Sequence, residues 1–283
     1  LATLEPQETL ILNFGLVFLV IGVAFKLGAV PFHMWVPDVY QGSPTSVTMF
    51  LSTVPKIAAV ALLVRLLIDG LSDFQHYWAD LFMILAILSI AVGSLVALTQ
   101  VNIKRMLAYS TISHIGFVLL GFVTGVLEGY GSAIFYVFVY ILMSLAAFGS
   151  IIVLNRSGFE ADQISDFRGL SKHSPWFALI MLAVMLSMAG VPPFIGFYSK
   201  LFILQQVVSE GFVILAIIAV IFAVISAYYY LQIIKMMYFD DADKEIVISA
   251  PLDLKAVLSV NGVLILLIGL TPSFWMDLSI SLF

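Results

Sequence analysis

Three lysines, Lys26, Lys56 and Lys200, and one histidine, His114, interrupt stretches of this 283-residue chain that are otherwise apolar. An ammonium group at hydrocarbon depth costs about 2.5–3.5 kcal/mol even on the mildest scales, so such a residue marks a functional charge by default. Lysine suits proton handling because loss of hydration disfavours its charged form, and a neighbouring cation disfavours it further. A row of such amines can be loaded and emptied in turn near neutral pH. Histidine adds a group that takes a proton on one ring nitrogen and releases it from the other. His114 is flanked by Tyr109, Ser110, Thr111 and Ser113, whose hydroxyls suit ordered water. These residues predict charge moved across a membrane through a buried relay.

Each candidate has a plainer competitor. A lysine near a helix end can snorkel to the interface. Some sixteen apolar or small residues precede Lys26 and a proline break follows it, Lys56 sits near the middle of its span, and Lys200 follows Phe197-Tyr198-Ser199. Lys235 lies close to the end of its span, where snorkelling explains it as well as chemistry does, and it is a secondary candidate. His114 reads equally as a satisfied core histidine. His33, His76 and His173 fall at breaks or loops without metal-ligand spacing and read as structural. No metal-binding or cofactor-binding residue is expected. Gly121, Gly125 and Gly129, at four-residue spacing, read as close helix packing.

The elements that position these residues follow from composition. Hydrophobic residues make up 62% of the chain and charged residues 10%, with a mean hydropathy of +1.13. No soluble fold hides that much apolar surface, since soluble domains average roughly 45–50% apolar and 25% charged. Nucleic-acid binding has no support from a net charge of −5. Absence of cysteine removes disulfides, thiol chemistry and iron–sulfur ligation together. A spanning helix needs about 20 apolar residues. Eight runs qualify: 10–36, 45–68, 77–99, 107–127, 131–154, 175–208, 212–239 and 255–275. The expectation is an all-α, polytopic transmembrane bundle, one integral membrane domain over residues 1–283. The opening residues lack the basic start and small-residue cleavage site of a signal peptide. Beginning at Leu1, the chain reads as the later part of a longer protein.

Charge orients the spans. Connections after the third, fifth and seventh runs carry Lys104, Arg105, Arg156, Arg168, Lys172, Lys235, Lys244 and Lys255, and the opposite set carries Arg65. By the positive-inside rule the first set is cytoplasmic. Two runs are discontinuous. Ala189-Gly190-Val191-Pro192-Pro193 interrupts the sixth, and Gly28-Ala29-Val30-Pro31 interrupts the first. Proline removes a backbone donor and clashes with the preceding turn, so both helices must break. Lys26 lies five residues before Pro31 and Lys200 seven after Pro193, with Lys56 and Lys235 following 30 and 35 residues later. Broken helices at matching places in two repeats point to the transport site of secondary transporters. On this reading the first repeat is truncated.

At these residues the chain resembles a known family. The run from Phe25-Lys26-Leu27-Gly28 through Pro31-Phe32-His33-Met34-Trp35-Val36-Pro37-Asp38-Val39-Tyr40-Gln41-Gly42 is similar to the signature of the antiporter-like membrane subunits of respiratory complex I. Within that family its wording is nearest to the subunit-N branch of bacterial NADH-quinone oxidoreductases. Residues 98–110 with Ser113-His114-Ile115-Gly116 resemble the family's ninth-to-tenth helix junction, and Gly196-Phe197-Tyr198-Ser199-Lys200 its broken twelfth helix.

The resemblance implies an antiporter-like inverted-repeat fold in which these spans are helices seven to fourteen of fourteen. It places the central proton-loading lysine on Lys26, the helix-eight lysine on Lys56, the helix-ten histidine on His114 and the terminal lysine on Lys200. The family's glutamate partner, on helix five, would precede Leu1. The implied activity is proton translocation driven by NADH-to-quinone electron transfer in the bacterial inner membrane. FMN, iron–sulfur clusters and quinone are implied in other subunits, with neighbouring membrane subunits and the lipid bilayer as partners. Alternatives are a subunit of a multisubunit cation/proton antiporter or membrane-bound hydrogenase, and a scaffold with vestigial lysines.

Overall fold

The computed structural model describes residues 6–156, 161–241 and 251–283; Lys244 lies outside them. A chain in hydrocarbon must satisfy every backbone group within its own segment, which leaves helices as the regular element. In order these are α1 (Pro6–Leu27), α2 (Trp35–Gly42), α3 (Thr45–Leu63), α4 (Gln75–Ala97), α5 (Ile103–Val123), α6 (Leu127–Arg156), the single turn α7 (Leu170–His173), α8 (Pro175–Ala189), α9 (Ile195–Ser209), α10 (Val213–Phe239), α11 (Leu252–Leu270) and α12 (Pro272–Ile280). A wider π-helical turn, Val64–Gly70, extends α3.

Six of the helices among the described residues are long and apolar enough to cross a membrane, two with short helical extensions. The shorter apolar stretches Ile11–Leu27 and Pro175–Ala189 belong to the two proline-broken runs. Both predicted breaks are present: α1 stops three residues before Val30-Pro31, and α8 stops three before Pro192-Pro193. A third interruption separates α11 from α12 at Thr271, where Pro272 cannot continue the ladder and starts a new helix instead.

Helix α5 is the axis of the bundle, buried at every position except Arg105 and Tyr109. A helix apolar all round belongs in the interior of a membrane bundle. Helix α4 lies against it at backbone distance: a Cβ on Gly93 would stand 2.5 Å from Ser113 N, and one on Gly116 would stand 2.9 Å from Ala86 O. The close helix packing expected at Gly121, Gly125 and Gly129 runs between two helices. Gly125 has φ +73 and makes the turn after α5, so Gly121 and Gly129 face each other across the α5–α6 hairpin rather than along one helix.

The basic connections meet at one end. Asn102 caps α5 by accepting from Arg105 N (3.0 Å), Arg105 pairs with Asp38 (2.6 Å), and Lys104 with Asp162 (3.7 Å). Lys172 pairs with Asp241 (2.6 Å). The Pro37-Asp38 motif thus ties α2 to the start of α5. Both partners of Arg105–Asp38 are partly exposed, so Asp38→Ala is expected to cost under about 1 kcal/mol, measured as a small fall in the thermal midpoint.

Candidate functional site

The site is built where two helices end inside the bundle. At the first break, Gly28 takes φ +77 and its N–H donates to Phe25 O (3.1 Å), while Ala29 N–H donates to Ala24 O (2.8 Å). This is the left-handed glycine termination common at helix ends, and it leaves the last two carbonyls without backbone donors. Lys56 supplies them: its Nζ, fully buried, donates to Leu27 O (2.5 Å) and Lys26 O (3.4 Å), and lies 5.3 Å from the Trp35 ring centroid.

At the second break the same register recurs. Gly190 has φ +86, its N–H donates to Ser187 O (3.0 Å), and Val191 N–H donates to Leu186 O (3.0 Å). The carbonyls left over, one and two residues before the glycine, accept from Lys200 Nζ at 3.2 Å (Ala189) and 2.9 Å (Met188). Lys200 is buried, with Phe117 at 5.7 Å. Each amine therefore sits at the negative end of a half-helix and over an aromatic face, both of which attract an ammonium group. Only glycine fits these turns. A Cβ on Gly28 would meet Val36 at 2.6 Å, and one on Gly190 would stand 3.3 Å from the Lys200 amine.

Lys200 shares a small cavity with His114, lined also by Ser113, Phe117, Ser226, Tyr229 and Tyr230. His114 is buried. Its Nδ1 lies 2.7 Å from the Tyr136 hydroxyl and its Nε2 lies 3.2 Å from the Tyr230 hydroxyl, which also bonds Ser110. Thr111 bonds Tyr140 (2.9 Å), and Ser94 joins Ser113 (3.0 Å) to Ser226 (2.8 Å). The hydroxyls next to His114 in sequence are thus engaged with hydroxyls on α4, α6 and α10.

Three expectations are corrected. Lys26 is exposed, because helical periodicity puts it near Phe18, Gly22 and Phe25 on the uncovered face of α1, and only its carbonyl reaches Lys56. Lys235 is also exposed, 3.9 Å from Asp240 beyond the bundle, which removes its secondary candidacy for the buried site. Nor do the 30- and 35-residue spacings mark equivalent lysines: Lys200 occupies at the second break the seat Lys56 occupies at the first. His76 is exposed and His173 half-buried, whereas His33 is buried with Nδ1 unpartnered. Tyr136, Tyr140 and Tyr230 escaped sequence reasoning. Their signal was available, since a phenol inside an apolar span needs a hydrogen-bond partner.

A bundle of membrane helices with two glycine-proline breaks, each holding a buried amine on freed carbonyls, defines a broken-helix protein of the transporter type. The chain belongs to the NADH:quinone oxidoreductase/Mrp antiporter transmembrane family, whose model matches residues 3–226. It is 72% identical over 280 residues to the NADH-quinone oxidoreductase subunit N of Ruthia magnifica, covering 99% of this chain and 58% of that protein. It is similar to a chain of respiratory complex I from Thermus thermophilus (TM-score 0.81, 31% identity, 97% of this chain and 60% of that one). A chain of the Mrp complex from a Dietzia species shares the fold (TM-score 0.85, 20% identity, covering 94% and 57%). The chain thus spans somewhat over half the length of the relatives it matches.

Proposed function

We propose that this chain is part of a proton-translocating membrane subunit of a bacterial NADH-quinone oxidoreductase, seated in the inner membrane. The observation that carries the reading is the paired seat: Lys56 and Lys200 cap same-register carbonyls at two breaks, and the second opens directly onto His114. A buried amine held this way has its hydrogens directed at the helix end and its ring partner, and it is reachable by a neighbouring acceptor. A proton placed on Lys200 has His114 across one cavity, and hydroxyls on both sides of that ring.

Lys26 enters from the other side. Its face of α1 also exposes Ile11, Phe14, Phe18 and Phe25, an apolar stripe that suits covering by the part of the relatives' length this chain does not match. The described helices then correspond to helices seven to fourteen of those relatives, with the carboxylate partner of Lys26 carried on the unmatched portion. Electron transfer, with FMN, iron–sulfur clusters and quinone, belongs to other subunits, and this chain contributes no redox centre. Neighbouring antiporter-like subunits of complex I are the partners.

The test replaces Lys26 by Met in the full-length subunit within its complex and measures proton uptake per NADH oxidised. Both pumping and coupled turnover should fall by about tenfold or more, while NADH oxidation by an artificial acceptor stays normal. Unchanged pumping would remove the assignment.

A further inference from the structure

We propose that Tyr136 and Tyr230 are positioning residues for His114, phenols at its two ring nitrogens that let the imidazole gain and lose a proton without moving its ring. This rests on the reading of Lys200 and His114 as a proton path. Both phenols are buried, one at each ring nitrogen (2.7 and 3.2 Å), and they come from different helices, α6 and α10. Tyr136 is itself fixed, stacked on Phe117 at 5.9 Å with an interplanar angle of 5°. Tyr230 has a second partner in Ser110.

The choice of hydroxyls matters chemically. A backbone carbonyl beside a ring nitrogen accepts only, and a carboxylate accepts only, so either would hold one tautomer. A phenol donates or accepts by rotating its hydrogen. In the neutral state with Nδ1–H donated to the Tyr136 oxygen, the Tyr230 hydroxyl donates to Nε2. When a proton arrives at Nε2, the Tyr230 hydrogen turns to the Ser110 oxygen and its own oxygen accepts the new N–H. The imidazolium then donates from both nitrogens, to Tyr136 and Tyr230, and every bond is kept. Loss of that proton from Nε2 reverses both turns and restores the first arrangement, with Nδ1–H still donated to the Tyr136 oxygen. One proton is gained and given up at Nε2, and no heavy atom has moved. Tyr229 and Tyr230 both line the space between Lys200 and His114.

The test is made in the full-length subunit within its complex. Tyr230→Phe keeps the ring and removes the hydroxyl, and should lower coupled turnover and protons per NADH by about tenfold and displace the pH profile of coupled turnover. Quinone KM and artificial-acceptor NADH oxidation should stay unchanged. Combined with His114→Gln, it should add no further loss, because it acts through that ring. Tyr228→Phe, exposed on the same helix, should change nothing. Should Tyr230→Phe fail to assemble, Ser110→Ala removes only the second partner of Tyr230 and should lower turnover in the same direction. Normal pumping and an unshifted profile in Tyr230→Phe, or in Ser110→Ala where that variant stands in, would overturn the proposal. If His114→Gln lowers pumping in that case, the wider proton-path reading stands; if His114→Gln and Lys200→Met both pump normally, that reading falls too.

Discussion

Lys56→Met in the full-length subunit is expected to lower coupled proton uptake by about a hundredfold while the complex still assembles. The two effects separate because opposing terms act on stability. Removing the amine leaves the carbonyls of Lys26 and Leu27 without their donor, at about 1–3 kcal/mol each. It also removes a buried cation whose desolvation costs several kcal/mol, and methionine refills a similar volume. Stability therefore changes little, whereas proton loading at this seat is lost entirely. Lys56→Arg should not rescue it. The seat is fully buried and a Cβ on Gly28 would stand 3.5 Å from the amine, so the wider planar guanidinium has no place to lie. Proton uptake measured with assembly assayed in parallel decides the matter: wild-type pumping in Lys56→Met would show that this amine is a structural cap only.

Gly196→Ala is expected to be strongly disruptive for a change of a single methyl group. A Cβ there would stand 1.9 Å from Ser187 O and 2.9 Å from Ser187 Oγ, and Gly196 N–H already donates to that hydroxyl (3.1 Å). No flexible side-chain tip can give way, because the obstacle is the backbone of α8 packed against the first turn of α9. The two half-helices must separate, taking Lys200 off the Met188 and Ala189 carbonyls. The cost should exceed about 3 kcal/mol, seen as loss of the subunit from the assembled complex. Gly42→Ala, where nothing lies within 4 Å, is the matched control and should assemble normally. Normal assembly of Gly196→Ala would mean that the break is softer than its packing indicates.

Both substitutions fall on features of unequal legibility. The breaks were readable because proline acts locally: Pro31, Pro192 and Pro193 remove donors whatever surrounds them. Half-helix ends could be placed within a few residues for the same reason. The equivalence of Lys56 and Lys200 could not be read, since one lies on the helix after its break's short connecting helix and the other on the half-helix directly beyond its break. Counting residues from proline to lysine paired Lys26 with Lys200, while coordinates pair Lys56 with Lys200 through the carbonyls they cap.

His114 shows the same division. Its burial followed from an apolar run, but its partners Tyr136 and Tyr230 lie 22 and 116 residues away. The glycine spacing announced close packing, but that it joins α5 to α6 across the turn at Gly125 was decided by the tertiary structure.

What the sequence determined by itself is the all-helical membrane class, the places where helices must break, the side of the bundle that gathers positive charge, and the presence of amines too deep to be accidental. These rest on local terms, backbone hydrogen bonding in hydrocarbon and the energetics of a single charge, which hold in any arrangement of the helices. Tertiary structure alone decided which amine caps which carbonyls, that Lys26 looks outward while Lys56 is sealed, and that His114 is held between two phenols. Those outcomes depend on which faces of different helices meet, and contact between residues far apart in the chain is fixed only when the bundle closes.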